Sequence, residues 1–112
     1  MTLQVSTSIP NGALTTPVPL TPAATDTIAA GSFGPNGCLI RVITTGTATN
    51  VSITDPNLTL LGNAGTSASL AAPATGARML PIPVGAINQA TQLATVTFSG
   101  ALTGVTYELY RY

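Results

Sequence analysis

Apolar side chains recur at every second position through Gly37 to Pro56, GCLIRVITTGTATNVSITDP: first Cys38, Ile40 and Val42, then Val51 and Ile53 after a Thr/Gly/Ala/Asn break. A period of two sends side chains alternately to opposite faces, which a strand satisfies and a helix does not. The β-branched residues Ile40, Val42, Ile43, Val51 and Ile53 suit a pleated, half-buried surface. Thr44 to Asn50 is polar and contains Gly46, so it reads as a hairpin connection of intermediate length. Asp55-Pro56-Asn57 ends the second arm, because proline removes the next ladder donor and Asp and Asn favour a turn. The stretch is expected to be a β-hairpin with one apolar face. Such a hairpin needs a second layer to cover it.

The same chemistry recurs along the chain. Ala23 to Ala30 reads as a strand through Thr25, Thr27 and Ile28, and Gly31 to Gly37 is turn chemistry throughout. Leu58 to Leu61 is a short apolar run closed by Gly62-Asn63-Ala64-Gly65. Ala68 to Ala72 and Arg78 to Val84 read as strands around Pro73 to Gly76, and Pro81 and Pro83 place the second at a sheet edge. Leu93 to Ser99 alternates with Ala94, Val96 and Phe98 inward. In the last strand Val105, Tyr107 and Leu109 form the inward set, and Thr106, Glu108, Tyr110 and Tyr112 the outward one. No stretch shows a helical period with caps. About seven or eight short strands at intervals of roughly ten residues predict an all-β fold, an antiparallel β-sandwich of immunoglobulin-like or jelly-roll type.

Residues 1–22 differ from residues 23–112. Leu3 and Val5 alternate with polar neighbours, which allows a short strand, but Pro10, Pro17, Pro19 and Pro22 then stand among Ile9, Leu14, Val18 and Leu20. Proline at this density blocks helix and central strand alike and favours extended chain. A solvated linker does not carry so many aliphatics. The segment is therefore expected either to pack along its own domain or to lie as an extended arm on a neighbouring subunit or partner. MTLQVSTSIP has neither a basic region nor a long apolar run, so no signal peptide is expected there.

Charge narrows the function. Of 112 residues, 5% are charged: Asp26, Arg41, Asp55, Arg78, Glu108 and Arg111, with a net charge of zero. Roughly a quarter is usual. Three isolated arginines do not make a phosphate-binding patch, so neither nucleic acid nor an anionic membrane is an expected partner. No window approaches the ~18 apolar residues of a membrane helix. A nearly uncharged surface promotes association, which an assembled protein tolerates better than a free monomer. The chain has no His and no Lys. That removes Ser-His and Cys-His catalysis, Schiff-base chemistry and the commonest zinc ligand. Asp26, Asp55 and Glu108 each have a simpler use, in a strand end, a turn and a solvent-facing position. No enzyme activity, cofactor or metal site is expected. Cys38, alone and in an apolar register, reads as a small buried hydrophobe. Phe33, Phe98 and Tyr107 are expected in the core, leaving Tyr110 and Tyr112 as exposed stacking candidates for a sugar or a partner.

The motifs PNGCLIRVITTG, NVSITDP, LGNAGT, ATGARML, ATVTFSG and the terminal GVTYELYRY, taken together from Gly31 to Tyr112, resemble the small β-sandwich head decoration (cement) proteins of tailed bacteriophages. The resemblance implies a non-enzymatic virion protein, assembled in the bacterial host cytoplasm. It would bind the outer surface of the capsid as a dimer or trimer and clamp subunits of the major capsid protein. It further implies that Ile9, Pro10, Leu14, Pro17, Val18 and Leu20 form a capsid-contacting arm, with Tyr110 and Tyr112 as further contacts. A carbohydrate- or receptor-binding module of a phage tail or fibre is the alternative.

Overall fold

The computed structural model describes residues 2–8, 14, 16–56, 60–61 and 68–112. Within them the chain forms β1 (Thr2–Gln4), β2 (Thr7–Ser8), β3 (Thr25–Ala29), β4 (Cys38–Thr45), β5 (Thr49–Ile53), β6 (Ala68–Ala72), β7 (Thr75–Ile82), β8 (Leu93–Ser99) and β9 (Val105–Arg111). Two 3₁₀ turns, Ala30–Ser32 and Val84–Ala86, interrupt the connections. The strands build two sheets, a five-stranded one in the order β1-β3-β8-β5-β6 and a four-stranded one in the order β2-β9-β4-β7.

The core lies where the alternation predicts. Along β4 the buried positions are Cys38, Ile40, Val42 and Thr44, and along β8 they are Ala94, Val96 and Phe98. Ile28, Val51, Ile53, Ile82, Val105, Tyr107 and Leu109 complete the layer between the sheets. Fully burying an aliphatic of this size contributes about 1.5–3 kcal/mol. The rings of Phe98 and Tyr107 meet across the gap with centroids 5.1 Å apart, a tilted contact that favours aromatic pairs beyond their burial.

Two expectations change. The stretch Gly37 to Pro56 is not a hairpin. β4 pairs with β7 and β9, whereas β5 pairs with β6 and β8 in the other sheet. Both strands have one apolar face, and facing each other across the core buries both faces at once, which side-by-side pairing does not. Gly46, at φ +105°, lets the chain turn from one sheet to the other. The sandwich is also not antiparallel throughout. β1 runs parallel to β3, and β2 runs parallel to β9.

Residues 2–8 thus touch both sheets, β1 at the edge of one and β2 at the edge of the other. Between the two strands Ser6 is buried. Its hydroxyl donates to the Ser32 carbonyl at 2.7 Å, and its N–H donates to Ser32 Oγ at 3.4 Å. Gln4 is buried too and donates to the Thr21 carbonyl at 3.3 Å. Further along, Leu20 exchanges backbone hydrogen bonds with Tyr107 at 2.7 and 3.1 Å, on the side of β9 away from β4. This strap closes one open side of the sandwich.

Candidate docking end

The register gives the sandwich two unlike ends. At one end, residues 46–48, 73–74 and 100–104 carry the chain between sheets in short arches. The arches hold one another. Gly46 N–H donates to Ala74 C=O at 2.6 Å, Thr45 N–H to Gly104 C=O at 3.1 Å, and the Thr44 hydroxyl to Pro73 C=O at 2.6 Å. These turns are built from Gly, Ala, Thr and Pro, and their one large side chain, Leu102, packs against the core.

The opposite end gathers residues 30–37, 54–56, 60–61 and 83–92, the crossing between β1 and β2, the end of β2 at Ser8 and the chain end at Tyr112. Here the large apolar side chains face solvent. Leu60 and Leu61 are 105% and 89% exposed, and Val5, Val84 and Tyr112 are exposed as well. Leu14, at 103%, and Val18 belong to the connection that leaves β2 at this same end, where Ser8 pairs with Arg111. Leu3 and Met79 are the remaining exposed large hydrophobics among the described residues, on the outer faces of the two sheets. A monomer gains nothing from solvated leucines, and apolar exposure concentrated in one region marks an interaction surface.

Backbone contacts fix the frame of this end. Asn36 N–H donates to Tyr112 C=O at 2.8 Å, and Tyr112 N–H donates to Gly37 C=O at 3.3 Å. Gly34 lies so close to the last residue that a Cβ there would land on the Tyr112 main chain, so only glycine fits. Arg111 donates to the Gly31 carbonyl at 3.4 Å.

Of the residues expected to make contacts, Ile9 and Pro10 lie outside the described residues. Leu14, Pro17 and Val18 are exposed. Leu20 is half-buried and packs against the core, held there by its two bonds to Tyr107. Tyr112 is 41% exposed. Tyr110 is half-buried on the outer face of the four-stranded sheet, and its hydroxyl donates to Glu108 Oε1 at 2.9 Å. Burial, followed by the neighbouring carboxylate, pushes that hydroxyl above its ordinary pKa. Sequence reasoning did not single out Leu60, Leu61, Val84 or Val5. The available signal was the run Leu58 to Leu61, which does not alternate and stands between two turns.

The carboxylates also differ from expectation. Glu108 does face outward on β9, but its side chain is only 6% exposed, because Arg41 Nη1 donates to Oε1 at 2.8 Å and Tyr110 covers it. Arg41 and Glu108 are direct cross-strand partners in the β4–β9 register, and opposite charges in that position attract. Asp26 lies beside a strand end, as the second residue of β3. It faces the core, however, fully buried, and its Oδ2 accepts the Tyr107 hydroxyl at 2.7 Å and the Ala23 N–H at 3.2 Å. Asp26 and Glu108 therefore lie on different faces of the layers. Among the described residues, no group of three or more His, Cys, Asp or Glu that could hold a metal ion occurs, and no helix is long and apolar enough to cross a membrane.

Compared with protein-family models, with curated proteins and with solved structures, the chain shows no significant match.

Proposed function

We propose that this chain is a non-enzymatic decoration protein of a phage capsid, and that it docks by its long-loop end. The observation that carries the reading is the segregation of exposed aliphatics. Val5, Leu14, Leu60, Leu61, Val84 and Tyr112 gather where the loops and the chain end meet, while the opposite end closes in short bonded arches. The chain carries three cations and three anions. Arg41 and Glu108 neutralise one another, so docking rests on apolar contact. A clip that binds the assembled lattice and not free subunits stabilises that lattice by mass action.

The strand order supports the jelly-roll form of the sandwich. From β3 onward every connection crosses between sheets except β5 to β6, and an immunoglobulin order keeps three successive pairs within a sheet. The antiparallel Leu20–Tyr107 bridge fills the remaining edge beside β9. Jelly rolls are a recurrent architecture of viral capsid proteins.

The test is binding of the purified chain to preassembled capsid shells that lack it, with NaCl raised stepwise. Retention across moderate salt is expected, because apolar contact is not screened. Leu60→Asp/Leu61→Asp is expected to fold normally and lose binding at least tenfold, since each removes an anchor of roughly 1.5–3 kcal/mol. Release by moderate salt, or undiminished binding of the double variant, would overturn the reading.

A further inference from the structure

An edge strand turns half of its N–H and C=O groups outward, where they can pair with any extended chain, so proteins blunt their edges with very short strands, proline or charge. Three of the four edges here are blunted. β1 has three residues and β2 two. On β7 the ladder phase follows from the Leu20 bridge: Leu20 takes both backbone groups of Tyr107, so Val42, opposite Tyr107, turns its own toward β7. Gly76, Arg78, Leu80 and Ile82 therefore bond inward, and Ala77, Met79 and Pro81 face out. Pro81 has no N–H to offer, and the Arg78 guanidinium occupies the Ala77 carbonyl at 2.9 Å.

β6 has none of these devices. Phe98 N–H bonds to Ala24 C=O, and Thr54 N–H to Thr95 C=O, so Thr49, Val51 and Ile53 of β5 are the residues that turn toward β6. Their register partners Ala72, Leu70 and Ala68 take those bonds. Ser69 and Ala71 are left with N–H and C=O directed outward. The strand, ASLAA, contains neither proline nor charge.

We propose that β6 pairs antiparallel with β6 of a second copy, about a twofold axis through Leu70, joining two five-stranded sheets into one of ten strands. In that register Ser69 of each copy meets Ala71 of the other, and both pairs exchange two hydrogen bonds. Every outward group of the strand is then used and none is left over. This self-complementarity favours a second copy over a foreign strand. A twofold contact brings one patch against itself, and an uncharged strand meets its own image without opposing like charges. The inference does not rest on the capsid reading.

Light scattering on the eluting full-length chain, combined with amide exchange, tests it. A dimer is expected, with Ser69 and Ala71 amides protected and the Met79 amide on the β7 edge exchanging fast. Ala71→Pro removes an outward N–H and leaves the β5 ladder intact, so it is expected to keep the melting transition and weaken dimerisation at least tenfold. Met79→Pro is the control on the other edge and is expected to leave the dimer unchanged. A monomer at all accessible concentrations, a trimer, or a dimer indifferent to Ala71→Pro would each overturn the proposal. A monomer that gains protection at Ser69 and Ala71 only on binding shells would assign the edge to a foreign strand and overturn it equally.

Discussion

Tyr107 and Asp26 join the two sheets through a 2.7 Å hydrogen bond inside the core. Asp26 Oδ1 has no partner among the described residues, so the Tyr107 hydroxyl carries much of the burden of satisfying this carboxyl group. Tyr107→Phe leaves Oδ2 with the Ala23 N–H alone and is expected to destabilise the fold by about 1–3 kcal/mol in urea unfolding; an unchanged midpoint would contradict this. Burial first, then the contact with Asp26, hold the Tyr107 hydroxyl well above its ordinary pKa. Cys38 was legible as a buried hydrophobe, and burial pushes its thiol from 9.0 up to about 11. A raised folded-state pKa gives stability that is full below pH 9 and is lost as pH rises through 11, because the unfolded chain releases its proton first. Wild type is therefore expected to lose of order 2 kcal/mol across that window relative to Cys38→Ala, the tyrosines contributing equally to both. The native thiol is also expected to resist disulfide reagents until the chain unfolds. The environments of Asp26 and Glu108 were not legible. Tyr107 and Arg41, the partners of Asp26 and Glu108, lie 81 and 67 residues away in sequence and arrive only through register, whereas Tyr110, which also covers Glu108, stands two residues along the same outward face.

Most strands could be read from their alternation, including β4, β8 and β9, and β7 stands at an edge as Pro81 requires. Which strands pair could not. A strand with one apolar face needs a covering layer whether it lies beside its neighbour or across from it, and the period of two is identical in both cases. The difference resides in the arches. Gly104 has φ +74°, and a Cβ there would meet Thr45 Oγ1 at 2.6 Å. Gly104→Ala is expected to cost ~1–2 kcal/mol, the usual penalty of a left-handed alanine, whereas Gly31→Ala, with nothing within 4 Å of its Cβ, is expected to be nearly neutral. Equal melting temperatures for the two variants would contradict this account of the arch. The strap was half-legible: Leu3 and Val5 allowed a strand, but its parallel pairing depends on β3 and β9. Deleting residues 1–8 removes β1, β2 and the Ser6–Ser32 bonds together. It is expected to lower the melting temperature by several degrees and expose the Arg111 amide, which turns toward β2, to exchange, consistent with loss of a few kcal/mol from a chain this size.

The shortage of charge was plain from composition, and the structure adds direction to it. One outer face carries the uncharged Thr25, Thr95, Thr97, Asn50 and Ser52 together with the exposed Leu3, and the other places Leu39, Ile43, Met79 and Pro81 around the Arg41–Glu108 pair. Leu60 and Leu61, with Val5, Val84 and Tyr112, are exposed at one end, while Leu3 and Met79 are exposed on the outer faces. That polarity was not readable in advance, because Leu60, Leu61, Val84 and Tyr112 are brought to one end by strand direction and not by sequence proximity. A molecule with one apolar end and almost no net field is suited to seating on a neutral, repeating surface. Its copy number in purified virions, measured by quantitative mass spectrometry against the major capsid protein, tests this most directly. The account predicts a simple high ratio, near parity or one to a few. A handful of copies per particle would move the chain to a tail or vertex and favour receptor binding, and absence from the particle would contradict the account altogether.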